Sequence, residues 1–170
     1  MFKKYNNIKI LLNTAVDKAL VQKENPDVVI IATGAKPLML NCPGTGCSNV
    51  TTAFDLLKGN ASIGDNVVVA GGGLIGTETA QWLASQGKNV TIVEMMSEIA
   101  TTLDFMTRFW LMEQLSNQKV NILTNTKVKE ITEDGAWVIG PDGKEKELKA
   151  DSVVIAIGTT SYNELEKELQ

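Results

Sequence analysis

Short apolar runs alternate with longer amphipathic segments along most of the chain, and this alternation predicts the fold. The β-branched runs predict strands at residues 67–70, 90–93, 120–123 and 153–157. Between them, helices are predicted at residues 74–86, with Gly87 as a left-handed cap, and from the N-cap Asp104 to about Asn117. Apolar strands that alternate with helices are typical of a buried parallel sheet.

The ends of the chain and residues 127–150 follow other patterns. Residues 8–12 and 28–32 predict two further strands, and the second is apolar enough for the interior of a parallel sheet. We predict a linker at residues 36–60 that contains a short helix over 51–58, and a short charged helix or a frayed tail over 162–170. Residues 128–132, 136–139 and 144–148, separated by Asp-Gly turns, predict a three-stranded antiparallel meander.

Composition excludes several classes of function. The 170 residues carry 16 basic and 20 acidic side chains, a net charge of −4, which argues against nucleic acid or an anionic membrane as a partner. No apolar run reaches the roughly 20 residues of a membrane span, and no signal peptide is recognisable, so we expect a cytoplasmic protein. The chain has no histidine, and its two cysteines, Cys42 and Cys47, lack the spacing of a redox or metal motif, so we predict no metal site.

A glycine pattern at the end of the strand 67–70 indicates where a ligand would bind. Gly71, Gly73 and Gly76 fit Gly-x-Gly-x-x-Gly between a strand and a helix, the context in which this pattern is specific for a dinucleotide. Gly71 would allow a tight turn, Gly73 a close approach of the pyrophosphate, and Gly76 close packing of helix and strand. The free N–H groups of the first helical turn, which includes Leu74 and Ile75, would then receive the phosphates.

Glu94 ends the next strand, where an acidic side chain accepts hydrogen bonds from the adenosine ribose. It would repel a 2′-phosphate, and residues 95–97 contain no arginine to bind one, so NADH is predicted in preference to NADPH. Two other strand ends, Thr33-Gly34 and Gly158, could bring backbone close to a cofactor, although each alone is more typical of a simple turn.

With these motifs in place, the chain resembles the two-dinucleotide-domain flavoproteins, in which an NAD(P) domain is inserted into an FAD domain. The resemblance rests on residues 27–37, residues 71–80 and residues 151–158, in that order. Residues 52–57 and 91–95 are more similar to NADH:flavin oxidoreductases of the Old Yellow Enzyme type, the group of 2-enoate and 2,4-dienoyl-CoA reductases. The resemblance implies an FAD/NAD(P)-binding fold, and it implies that Glu78 faces the nicotinamide; a solvated helix surface is an equally good reading of Glu78.

The sequence also departs from that family. The first FAD-binding glycine motif, the closing Gly-Asp motif, and a barrel with FMN and an iron–sulfur cluster are not found in it. We therefore interpret residues 1–35 as part of an FAD domain, residues 61–158 as the NAD-binding domain, and residues 159–170 as a tail that returns to the FAD domain. The expected partners are the FAD and catalytic domains of the same polypeptide.

The resemblance implies that NADH passes hydride to FAD, and that the electrons finally reduce an enoate or an enoyl-thioester. Two alternatives remain: a flavoprotein of the NADH oxidase or disulfide reductase type, and a nucleotide-binding module without catalysis. By itself the chain is expected to be colourless and to lack reductase activity.

Overall fold

The computed structural model describes residues 7–170, which form two compact units. The larger unit is Lys36–Thr160, and the smaller one comprises the described residues up to 35 together with residues 161–170. The helices are α1 (Lys18–Glu24), α2 (Ala53–Leu57), α3 (Leu74–Ser85), α4 (Phe105–Asn117) and α5 (Glu164–Leu169). The strands are β1 (Ala35–Pro37), β2 (Val50–Thr52), β3 (Asn66–Ala70), β4 (Asn89–Val93), β5 (Asn121–Leu123), β6 (Lys127–Thr132), β7 (Gly135–Ile139), β8 (Glu145–Lys149), β9 (Ser152–Ile155) and β10 (Thr159–Ser161).

A five-stranded parallel sheet in the order β2-β9-β3-β4-β5 forms the centre of the larger unit. Strand β3 is central, with Val69 level with Ile92 of β4 on one side and with Val154 of β9 on the other. Strands β6, β7 and β8 form a separate antiparallel sheet. The predicted fold class, a parallel sheet with helices and an antiparallel meander, is confirmed.

The apolar runs of the central strands are continuous because both faces of the sheet are covered. Val67 and Val69 pack with buried residues of α2, α3 and α4, such as Leu83 and Leu115. Val68 points to the opposite face and packs with the antiparallel sheet through residues such as Val138. Successive residues of a strand face opposite sides, so a strand covered on both sides must be apolar at every position.

The helix ends in this unit follow the predicted capping chemistry. Asp104 caps α4, and its Oδ1 accepts hydrogen bonds from the backbone N–H groups of Met106 and Thr107 at 3.1 Å each. Hydrogen bonds from Thr107 and Met106 hold the pKa of this carboxyl below its usual value. Gly87 follows α3 with a φ of 81°, the left-handed conformation expected there.

Residues 36–60 contribute more structure than was predicted. Strand β2 lies at the edge of the parallel sheet beside β9, and the helix begins at Ala53 rather than at residue 51. Thr52 is the N-cap of this helix, and its Oγ1 accepts a hydrogen bond from the Asp55 N–H at 3.1 Å. Strands β1 and β10 form a two-stranded sheet that was not predicted either.

The predicted strands at residues 8–12 and 28–32 were wrong. Neither segment is a strand in the part of the chain that the structure describes, and Val28 and Ile30 are 75% and 87% exposed. A strand is stabilised by hydrogen bonds to a neighbouring strand, and the described residues provide none beside these two runs. The smaller unit instead contains the helices α1 and α5, of which only the second was anticipated.

Candidate nucleotide-binding site

The glycine turn between β3 and α3 lies at the carboxyl edge of the parallel sheet. Gly71 has a φ of 112°, which favours glycine, and its N–H donates to the carbonyl of Val93 at 2.9 Å. A Cβ at Gly71 would lie 2.6 Å from the carbonyl oxygen of Ala156. The turn is therefore wedged between the ends of β4 and β9, and only glycine fits there.

Gly76 and Gly73 have opposite surroundings. A Cβ at Gly76, in the first turn of α3, would lie 2.0 Å from the carbonyl oxygen of Gly71, so this glycine lets the helix approach the turn. A Cβ at Gly73 would meet nothing within 4 Å, and its backbone φ is −69°. Gly73 faces a cleft, so a side chain there would occupy space that is open to a ligand.

The N-terminus of α3 is suited to an anion. Gly73 is the N-cap and provides no side-chain acceptor for the first N–H groups of the helix. The Thr77 hydroxyl donates within the helix, to the carbonyl oxygens of Gly73 and Leu74 at 2.9 and 3.0 Å. The free N–H groups and the helix dipole together favour a phosphate at this position.

Glu94 follows β4 and its carboxylate holds the backbone around the turn. Its Oε2 accepts a hydrogen bond from the Gly72 N–H at 2.6 Å, and its Oε1 accepts one from the Met96 N–H at 2.8 Å. Each carboxylate oxygen has more than one lone pair, so both can also accept a ribose hydroxyl. The sequence predicts a contact of Glu94 with the ribose alone, and the structure adds its contact with the glycine turn.

A cleft of about 650 Å³ lies between these groups. This volume is within the range of about 300–1,000 Å³ that is usual for small-molecule sites. Of the predicted site residues, the cleft is lined by Gly71, Gly73, Leu74, Ile75, Glu94 and Gly158. Ligands of open parallel sheets bind beyond the carboxyl ends of the strands, which is where this cleft lies.

The remaining predicted residues lie elsewhere. Gly76 lies beneath the turn, and Glu78 lines a neighbouring apolar groove of about 420 Å³ together with Phe54 and Trp82. Ile75 lines both the cleft and this groove, so the two are adjacent along α3.

Thr33 and Gly34 belong to the smaller unit. There the Thr33 hydroxyl donates to the carbonyl of Tyr162, and the Gly34 carbonyl accepts from the Tyr162 N–H at 2.9 Å. Their role in binding a cofactor stays a prediction.

Two cleft residues with distinctive chemistry, Cys42 and Lys127, were not predicted as part of a site. Cys42 is a free thiol in the segment before β2, and Lys127 begins β6. Burial, followed by the Glu130 carboxylate, raises the pKa of the Cys42 thiol, while Lys127 opposes this shift. No local motif marks either residue, because only the tertiary fold brings these segments to the glycine turn.

A parallel sheet with a glycine turn at its carboxyl edge, and with an acidic residue at the end of the next strand, defines a Rossmann-like nucleotide-binding domain. The family described as pyridine nucleotide-disulphide oxidoreductase matches residues 3–170, and the chain belongs to this family. The predicted resemblance to that superfamily is confirmed.

Individual relatives are identical to the chain at about a third of the aligned positions. NADH oxidase from Thermoanaerobacter brockii is 38% identical over 96% of the chain and 26% of its own length. Cinnamate reductase from Clostridium sporogenes is 34% identical, over 96% of the chain and 24% of its own length. The solved structure of a 2-naphthoyl-CoA reductase superposes with a TM-score of 0.87 and 34% identity, covering 96% of the chain and 25% of that structure. The chain spans about a quarter of the length of these relatives.

Within residues 7–170, none of the helices is both long enough and apolar enough to cross a membrane.

Proposed function

We propose that this chain is the NADH-binding domain of a larger flavin-dependent oxidoreductase. The observation that carries the proposal is the cleft itself, with an uncapped helix N-terminus and Gly73 on one side and the Glu94 carboxylate beside the turn. A dinucleotide fits this arrangement because its pyrophosphate needs N–H donors without a side chain in front of them. Its adenosine ribose needs an acceptor at the end of the neighbouring strand.

In this arrangement the residues of the chain bind and orient the cofactor. The N–H groups at the start of α3 would hold the pyrophosphate, and Glu94 would fix the adenosine ribose and disfavour a 2′-phosphate. Ile75 extends from the cleft into the groove that contains Glu78, so the nicotinamide end would follow α3 in that direction. Bound FAD would supply the hydride acceptor, and hydride transfer mainly requires that the reacting atoms are held about 3–3.5 Å apart. No general acid or base is needed, which is consistent with a chain that has no histidine.

For the final acceptor we propose an enoate or an enoyl-thioester. Two similarities support it: cinnamate is a 2-enoate, and 2-naphthoyl-CoA is an acyl thioester. The similarity to an NADH oxidase favours oxygen as the second candidate. Additional FMN and an iron–sulfur cluster, together with the FAD and catalytic domains, would belong to other parts of the same polypeptide.

Binding is tested by calorimetric titration of the 170-residue chain with NADH and NADPH. We expect measurable binding of NADH that is tighter than that of NADPH. Gly73→Val should abolish NADH binding while the circular dichroism spectrum stays unchanged. A Cβ at Gly73 would meet nothing within 4 Å, and the valine side chain would occupy the space that the pyrophosphate needs. Gly46→Val is the matched control, since Gly46 is also open to space but lies outside the cleft. Retained binding in Gly73→Val would refute this turn as the phosphate site.

The reaction is tested on the full-length, FAD-containing protein. We expect anaerobic NADH to bleach the flavin absorbance, and either cinnamate or an aromatic acyl-CoA to restore it. Restoration by oxygen alone would favour the oxidase, and a flavin that NADH does not reduce would contradict the proposal.

A further inference from the structure

A lysine from a distant part of the sequence lies in the same cleft as Glu94. The segment before β6 runs beside the segment after β4, and two backbone hydrogen bonds join them. The Thr126 N–H donates to the carbonyl of Glu94, and the Asn125 N–H donates to the carbonyl of Met96, each at 2.9 Å. Lys127 is the next residue and lines the cleft. Residues 95–97 contain no basic side chain, and the fold therefore supplies a cation beside them from another segment, Lys127.

The start of β6 is fixed, so this placement does not depend on a flexible loop. Val128 is 6% exposed and packs in the core beneath the antiparallel sheet, while Lys127 points to the exposed side. Neighbouring residues of a strand face opposite sides, so Lys127 cannot turn into the core while Val128 stays there.

The ammonium group of Lys127 is available to a ligand. Within residues 7–170 it forms no ion pair, whereas Lys129, two residues further along the strand, pairs with Glu145 at 2.6 Å. Lys127 is also close enough to Cys42, on the cleft wall, to oppose the rise in the pKa of that thiol. Lys127 thus combines a position in the cleft lining with an ammonium group that forms no ion pair among the described residues.

We infer that Lys127 is a second determinant of cofactor selectivity, which lies beside the adenosine ribose and partly offsets the repulsion between Glu94 and a 2′-phosphate. The inference rests on the proposed function. A phosphate dianion near a carboxylate is repelled by the same Coulomb interaction that attracts it to an ammonium group at a similar distance. The cleft would then prefer NADH but still bind NADPH to a measurable extent. The sequence motif around Glu94 does not reveal this charge near the ribose, because Lys127 belongs to another strand.

The test is calorimetric titration with NADH and NADPH of the wild-type chain, Lys127→Gln, and the control Lys129→Gln. Loss of an exposed ion pair corresponds to at most about a fivefold change in affinity. We expect Lys127→Gln to weaken NADPH binding by about that factor and NADH binding by less than about twofold. Lys129→Gln should change neither. The effect on NADPH should shrink at high salt, because solvent-exposed charges are screened.

The outcomes separate this inference from the proposed function. Equal losses for both cofactors in Lys127→Gln would place the lysine at the pyrophosphate, and no loss would remove it from the site. Either result overturns the inference but leaves the proposed binding of NADH intact. The same holds if the wild-type chain binds NADH but shows no detectable binding of NADPH. If the wild-type chain binds neither cofactor, the proposed function and the inference both fail.

Discussion

Gly76→Ala tests the packing of α3 against the glycine turn. The added Cβ would lie 2.0 Å from the carbonyl oxygen and 2.9 Å from the carbonyl carbon of Gly71. That backbone has little freedom to move, since the Gly71 N–H is bonded to Val93 and the Gly72 N–H to Glu94. The clash must therefore be relieved by displacing the helix or the turn.

Two opposing effects set the magnitude. Alanine is preferred to glycine in a helix by about 1 kcal/mol. Overpacking of a well-packed interior costs about 1–3 kcal/mol, and more when backbone must move. Because the contact is with backbone at a distance that no real Cβ adopts, we expect the overpacking cost to reach the upper end of this range. After the helix preference of alanine is subtracted, the net loss of stability is about 2 kcal/mol. In a protein of this size each kcal/mol corresponds to about 2–4 °C, so the melting temperature should fall by about 4–8 °C.

The comparison variant is Gly73→Ser in the same turn. A Cβ at Gly73 meets nothing within 4 Å, and serine is favoured at an N-cap, so the melting temperature should stay the same or rise. The hydroxyl would compete for the N–H groups that a phosphate needs, and we expect NADH affinity to fall by about tenfold. Thermal melts followed by circular dichroism, with titration of the same samples, measure both quantities. A Gly76→Ala variant that melts like the wild type would show that α3 does not press on the turn.

Three further predictions concern individual side chains. Glu94→Gln should bring the affinities for NADH and NADPH closer together, whereas Glu98→Gln, which removes only the ion pair with Arg108, should not; titration with both cofactors decides. Thr52→Ala should lower stability by about 1 kcal/mol through loss of the N-cap of α2, visible as a lower midpoint in a urea melt. The Asn66 N–H groups lower the pKa of Asp151, so its contribution to stability is complete above the unfolded pKa of about 3.9 and is lost as the pH falls through the folded value. Melts between neutral and acidic pH should therefore show that the stability of Asp151→Asn falls less steeply with decreasing pH than that of the wild type. An unchanged slope would contradict this prediction.

Local sequence determined most elements of the larger unit, because their signals are contained in neighbouring residues. The apolar runs that became β3, β4 and β9 are strands for the reason predicted, burial on both faces. Asp104 caps the start of α4 and Gly87 follows the end of α3, through hydrogen bonds and dihedral angles that depend only on adjacent residues. The glycine turn was also recognisable, since its spacing follows from the geometry of one strand and one helix.

The errors occurred where a segment depends on a distant partner. Residues 28–32 have the composition of a buried strand, yet a strand also needs a neighbour, and the described residues place none beside them. Conversely, β2 has only three residues and a weak local pattern, and it is a strand because β9 lies next to it.

The sequence by itself determined the chemistry of the turn: three glycines at the required spacing and an acidic residue at the end of the next strand. Tertiary structure decided what surrounds it. Glu94 binds the turn as well as facing the cleft, Glu78 lies in a neighbouring groove, and Lys127 reaches the cleft through hydrogen bonds between two loops. A motif records the residues that one stretch of backbone requires, whereas the charges around a ligand are set by strands that meet only when the chain is folded.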